Sequence, residues 1–217
     1  MQFEVMRVKI IERLESRKLD LSIKRLFDFF ASLILFIILL PVMIVISILI
    51  KAESEGPVIF RQKRIGYMGR PFTIFKFRTM VNNAENLFRL NVDKENLGSL
   101  VFQDKDDPRI TKIGGFLRRT SLDELPQLVN VLIGNMTLVG PRPEIPAVAD
   151  LYNDKQKLRL YIKPGVTGLA QVSGRGEIEL DKTIEFDLEY IMNFSIWLDV
   201  EILFRTIRTV FKKEGAY

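Results

Sequence analysis

The sequence contains no cysteine and no histidine, and only one tryptophan, among 217 residues. Without cysteine there are no disulfides, thiolate nucleophiles or sulfur ligands; without histidine there is no imidazole to act as base or metal ligand. Chemistry on this chain must therefore rest on carboxylates, lysine, arginine, tyrosine or hydroxyls. Nucleotide-binding glycine motifs are missing too, since neither G-x-x-x-x-G-K-[ST] nor a helix-opening G-x-G-x-x-G occurs. There is no internal repeat and no alternating strand-helix series. Nor is there a basic stripe interleaved with stacking aromatics, so no nucleic-acid partner is expected.

What is present is a chain that is 47% hydrophobic with a formal net charge of +5, a balance suited to a phosphate ligand or an anionic membrane surface. The longest apolar run, Phe29 to Ile50, is uncharged over 22 residues and would reach about 33 Å as a straight helix, enough to cross a bilayer. Its position well inside the chain, with no small-residue cleavage pattern after it, argues against a signal peptide. Seven Lys/Arg lie in residues 1–28 and seven more in residues 51–78, so the positive-inside rule places both flanks on the cytoplasmic side. Pro41 offers a way to do this: an interior proline removes a helical hydrogen bond and clashes with the carbonyl of Ile37. The run then divides into arms of 12 and 9 residues, and neither alone crosses the hydrocarbon core. Two readings follow, a kinked spanning helix and a re-entrant hairpin, and the symmetric flanks favour the hairpin.

Beyond Lys51 the composition is that of a mixed domain. The β-branched and aromatic segments PVIFRQKRIG and PFTIFKFRTM predict two strands joined at Gly66–Gly69. LDELPQLVNVLIGNM predicts a helix ending at Gly134, residues 147–161 and 181–213 predict helices, and the Gly-rich segment from Lys163 predicts a loop with one short strand. The expected fold class is α+β: a small helix-rich, membrane-associated domain with a proline-broken re-entrant helix and interfacial amphipathic helices. The expected division is a basic segment at 1–22, the membrane hairpin at 23–51, and a catalytic domain at 52–217 ending in a helix that either packs on the core or lies on the membrane.

The stretch RRTSLDELPQL carries two adjacent carboxylates, Asp123 and Glu124. Ser121 with Glu124 matches a capping box, while a later start with Asp123 as N-cap would move Pro126 to a more tolerable position. In either register the adjacent side chains point about 100° apart and serve different purposes. Basic residues recur among glycines and prolines at Lys76, Arg118, Arg142 and Arg175. With ionised acids they would suit a diphosphate held by Arg and Lys while a carboxylate binds a hard cation or attacks phosphorus.

The ordered motifs VIFRQKRIG, FKFRTM, DPRITKIGGFLRRTSLDELPQLVNVLIGNMTLVGPRPE, KPGVTGLAQVSGRGE, FDLEYI and WLDV resemble the bacterial sugar transferases, the monotopic phosphoglycosyl transferase family, from about Lys24 to Phe211. The resemblance implies transfer of a phospho-sugar from a UDP-sugar to polyprenyl (undecaprenyl) phosphate at the cytoplasmic face of the bacterial inner membrane, the first membrane step of surface glycan synthesis. It implies Asp123 as nucleophile and Mg²⁺ ligand, Glu124 as its partner acid, Lys76, Arg118, Arg142 and Arg175 as substrate-binding residues, and a membrane-helix break at Pro41. The alternative is a non-catalytic membrane scaffold or inactive relative. Family members often carry Ser before the membrane proline, where this chain has Leu40. Residues 1–22 are expected to form at most a short helix, where longer members of the family carry a multi-span region.

Overall fold

The computed structural model describes residues 2–82, 84, 96–99, 107–174 and 178–212. The architecture is helix-rich α+β. Helix α1 (Gln2–Ser16) leads into the long α2 (Lys18–Glu53), followed by the hairpin β1 (Ile59–Ile65) and β2 (Pro71–Phe77). Then come α3 (Lys112–Thr120), a 3-10 turn at Leu122–Glu124, α4 (Gln127–Leu132), β3 (Thr137–Val139), α5 (Pro146–Ala149) and α6 (Asp154–Lys157). A second 3-10 segment at Leu158–Tyr161, β4 (Gly165–Thr167), α7 (Leu169–Gly174), α8 (Leu180–Asn193) and α9 (Ile196–Lys212) complete the order.

The strand expectations hold: β1 and β2 pair antiparallel with Phe60 opposite Lys76 and Arg64 opposite Phe72. The helix expected to end at Gly134 does so, with Gly134 at φ +87, open to glycine at no steric cost. Residues 147–161 are three short helical pieces instead of one helix, and the Gly-rich loop contains both β4, parallel to β3, and α7.

The basic N-terminal segment is itself a helix. Ile10 of α1 is fully buried in the main core, and Arg13 donates to the carbonyls of Met192 (3.1 Å) and Phe194 (3.4 Å) at the end of α8. That core gathers Phe72 and Ile74 from β2, Leu128 and Val131 from α4, and Leu180, Ile184, Leu188 and Ile191 from α8.

Helix α2 runs without interruption through Pro41, where the sequence reading expects it to break. Its buried residues form one stripe, Lys24, Asp28, Ser32, Met43, Ile46 and Ile50, that continues past the proline on a helical spacing. The first arm is fixed by Lys24, whose ammonium lies 2.7 Å from Asp199 and 3.6 Å from Asp28, and by Thr137 donating to Asp28. The second arm packs Met43, Ile46 and Ile50 against Phe77 and Leu117, and Glu53 accepts from the amide of Ile113 at 3.1 Å. Both arms thus rest on the same body. Only 17% of the most apolar part of α2 is buried; Leu26, Phe30, Ile34, Ile37, Ile38 and Ile48 are bare, a surface that water would not tolerate over such an extent.

Candidate active site

The two carboxylates occupy neither of the helix-capping registers that the sequence allows. Ser121 takes the left-handed conformation (φ 56) and ends α3, its amide donating to Arg118, and Pro126 stands at the start of α4. Asp123 and Glu124 therefore sit in a 3-10 turn between two helices, a tight bend whose residues point apart. Leu122 and Leu125, on the other side of the bend, pack into the cluster around Phe77 and Leu117 and fix its direction.

Lys76 and Arg142 close on this turn from opposite elements. The Lys76 ammonium lies 2.8 Å from one oxygen of Glu124, and the Arg142 guanidinium donates to the same oxygen at 3.1 Å. Asn130 keeps α4 in register with Lys76's strand: its amide donates to the carbonyl of Thr73 (2.7 Å) and accepts from the amide of Phe75 (3.0 Å). Arg118 sits nearby on α3 and donates to Thr79 at 2.9 Å. Gly114 permits this, because a side chain there would strike the Thr79 backbone.

Arg142 stands on an irregular proline-rich loop after β3, and that loop is held by four consecutive carbonyls. Pro141 accepts from the Gly165 amide (2.9 Å), Arg142 from the Arg159 guanidinium (2.9 Å), Pro143 from Arg64 (3.3 Å), and Glu144 from the Ile65 amide (2.7 Å). Arg159 is itself buried, 2% exposed, and lies 2.6 Å from Asp187 while donating to the Tyr152 hydroxyl at 2.5 Å. The surrounding carboxylates place its pKa above the ordinary arginine value despite burial, so it is a fixed cation under the loop.

The electrostatics separate the neighbouring acids. Burial pushes the Asp123 carboxyl up to about 6, with Glu124 adding to the rise and Lys76, Arg142 and Arg118 opposing it. Burial alone would raise Glu124 as well, yet Lys76 and Arg142 outweigh it and hold this carboxylate well below its usual range. Asp123 makes no hydrogen bond or ion pair with any described residue. One acid is thus neutralised by two cations and the other is buried and unengaged.

The model of the family described as bacterial sugar transferase matches residues 19–213. The chain belongs to the bacterial sugar transferase family. It is 40% identical over 99% of its length to an undecaprenyl-phosphate galactose phosphotransferase of Salmonella typhimurium, and 42% identical over 90% of its length to a UDP-glucose:undecaprenyl-phosphate glucose-1-phosphate transferase of Escherichia coli. These alignments cover 45% and 41% of the two relatives, so the chain spans less than half of their length. The exopolysaccharide production protein ExoY of Rhizobium meliloti is 37% identical, with 89% of this chain matching 88% of that one.

In this bacterial sugar transferase the fold brings Lys76, Asp123, Glu124 and Arg142 together. Arg118 is beside them but spends its Nε on Thr79, and Arg175 lies outside the described residues. Sequence reasoning missed Asn130, Arg159 and Asp187, which position the site without facing it; the FDLEYI motif holds Asp187, and only its buried acid on a helix signals such a role. For Mg²⁺ the donor set is sparse. No three acidic side chains gather among the described residues, and Asp123 is the carboxylate of the site that makes no ion pair.

Proposed function

We propose that this chain transfers a sugar phosphate from a UDP-sugar to polyprenyl phosphate in two displacements at one carboxylate. The observation that carries this reading is the contrast between Asp123, buried without a partner, and Glu124, which takes both Lys76 and Arg142. The names of the relatives support the substrate classes. In the first displacement an oxygen of Asp123 forms a bond to the sugar-bearing phosphorus, and the bond from that phosphorus to the bridging oxygen breaks. UMP departs with the electron pair. In the second, a phosphate oxygen of the lipid acceptor attacks the same phosphorus, the bond to Asp123 breaks, and the free carboxylate returns.

Desolvation makes the Asp123 anion poorly hydrated and hence reactive, while Lys76 and Arg142 offset charge on the diphosphate that would otherwise repel it. Glu124 holds those two cations at fixed positions. Mg²⁺, held by Asp123 together with substrate oxygens, would supply further charge neutralisation on the diphosphate.

The bare faces of α2 and α9 support placement on a membrane. The continuous α2 would lie along the membrane with its bare face toward lipid and both basic flanks on one side, which the positive-inside rule makes the cytoplasmic face of the inner membrane. Helix α9 packs Ile202 into the core and turns Trp197, Phe204 and Ile207 outward, so it can seal the core with one face and lie on an anionic leaflet with the other. Replacing Trp197 and Phe204 by Ser should lower binding of the purified protein to anionic vesicles; unchanged binding would reject that placement.

The deciding experiment mixes the purified protein with UDP-glucose or UDP-galactose alone. A covalent sugar-phosphate adduct in the intact mass, with one UMP released per chain and neither seen in Asp123→Asn, is expected. Turnover by Asp123→Asn would reject Asp123 as the nucleophile, and no UMP release across a panel of UDP-sugars would leave the scaffold reading instead.

A further inference from the structure

Arg64 stands on the same face of the β1–β2 hairpin as Lys76, because Phe60 faces Lys76 across the pair and Arg64 is four residues further on. Its Nη1 donates to the carbonyl of Pro143 at 3.3 Å and lies 3.9 Å from the carboxylate of Glu144. Its Nε is buried and has no hydrogen-bonding partner, and Nη2 makes no hydrogen bond to a described residue. Those two nitrogens form the edge of a guanidinium whose parallel N–H groups match two oxygens of a phosphate. Glu144 does not neutralise Arg64 fully, since the same carboxylate lies 3.5 Å from Arg159.

We propose that Arg64 is a further phosphate-binding residue of this site, taking two phosphate oxygens on its Nε–Nη2 edge beside Arg142. The inference rests on the transferase reading above and extends it to a cation that the motif analysis passed over. Two features of the site favour a ligand here. A buried Nε left without an acceptor is costly, and an anion would satisfy it. Burial and the neighbouring Arg142 also pull the Arg64 pKa down to about 10, against Glu144 and Glu124, so positive charge is under-compensated at this end. Lys76 and Arg142 already share Glu124, and Arg64 adds a cation that makes no ion pair with that carboxylate.

The test separates binding from scaffolding. Arg64→Lys keeps a cation able to reach Pro143 and Glu144 but removes the forked edge, so thermal stability should stay near wild type. Calorimetric titration of the full-length protein with UDP should show about ten-fold weaker binding if the phosphate belongs to the sugar nucleotide. Unchanged UDP affinity with a comparable rise in KM for polyprenyl phosphate would assign the edge to the lipid acceptor and also support the proposal. Loss of stability in Arg64→Ala, with both affinities of Arg64→Lys unchanged, would overturn it and leave Arg64 as a tether of the loop. Arg142→Ala serves as the reference. If it weakens UDP binding while Arg64→Lys changes neither UDP binding nor the KM for polyprenyl phosphate, only this inference fails; if Arg142→Ala also binds UDP normally, the site reading itself falls.

Discussion

Glu124 lies 2.8 Å from the ammonium of Lys76, its partner across 48 residues of chain, and the adjoining Asp123 receives no such contact. This pairing makes the two neighbouring acids unequal, and the pH behaviour of the protein follows from it.

In the proposed mechanism, adduct formation from a UDP-sugar needs the Asp123 anion, whose pKa is raised to about 6. The single-turnover rate should fall about ten-fold for each pH unit below that value and level off above it. In Glu124→Gln an anion that raises the Asp123 pKa is gone, while Lys76 and Arg142 remain to lower it. The acid limb should therefore move below 6, with a lower plateau because the two cations have lost their shared anchor. A limb that stays in place in Glu124→Gln would contradict the coupling.

Asp123 should also cost the fold stability. A carboxyl whose folded pKa lies above its ordinary 3.8 stabilises most when protonated, below the unfolded pKa, and this contribution is lost as pH rises through about 6. Asp123→Asn should therefore be more stable than wild type above pH 6, by about 1–3 kcal/mol, with the difference closing near pH 4. Denaturant melts at both pH values check the sign.

Arg159→Met removes the cation from a buried cluster of Asp187, Glu144 and Tyr152 and the donor from the Arg142 carbonyl. Leaving those acids unpaired should cost about 3–5 kcal/mol. Arg159→Met with Asp187→Leu should recover part of that stability without restoring UDP affinity, since the Arg142 carbonyl still lacks its donor. Full recovery of both would show that Arg159 does not position the loop.

The native absence of cysteine makes the placement of α2 directly measurable. Lys18 and Lys182, with side chains 74% and 55% exposed, can each be replaced by Cys and probed in intact cells with an impermeant maleimide. Both should be protected until the membrane is permeabilised. Labelling of position 18 alone would establish a spanning helix.

The hairpin strands and the end of α4 were legible because alternation and an open-φ glycine are local signals. The pairing of Glu124 with Lys76 and Arg142 was legible only as a set of charges, since spacing says nothing about which acid they choose. The capping registers failed for a specific reason: Ser121 adopts a left-handed backbone that its residue type does not announce. α1 was read by its charges, whereas Ile10, with Phe3, Met6 and Leu14 around it, decides its role in the core. At Pro41 the local rule for a helix break was outweighed by a stripe of contacts on both sides that keeps one helical register.

The four tethered carbonyls from Pro141 to Glu144 also bear on how substrates come and go. Their partners belong to β1, to β4 and to the 3-10 segment carrying Arg159, so the loop cannot swing as a lid without disturbing all three at once. It is a fixed wall. In the proposed two-step transfer, nucleotide and lipid would both pass along that wall, and Arg142 would stand unmoved between the first substrate and the second.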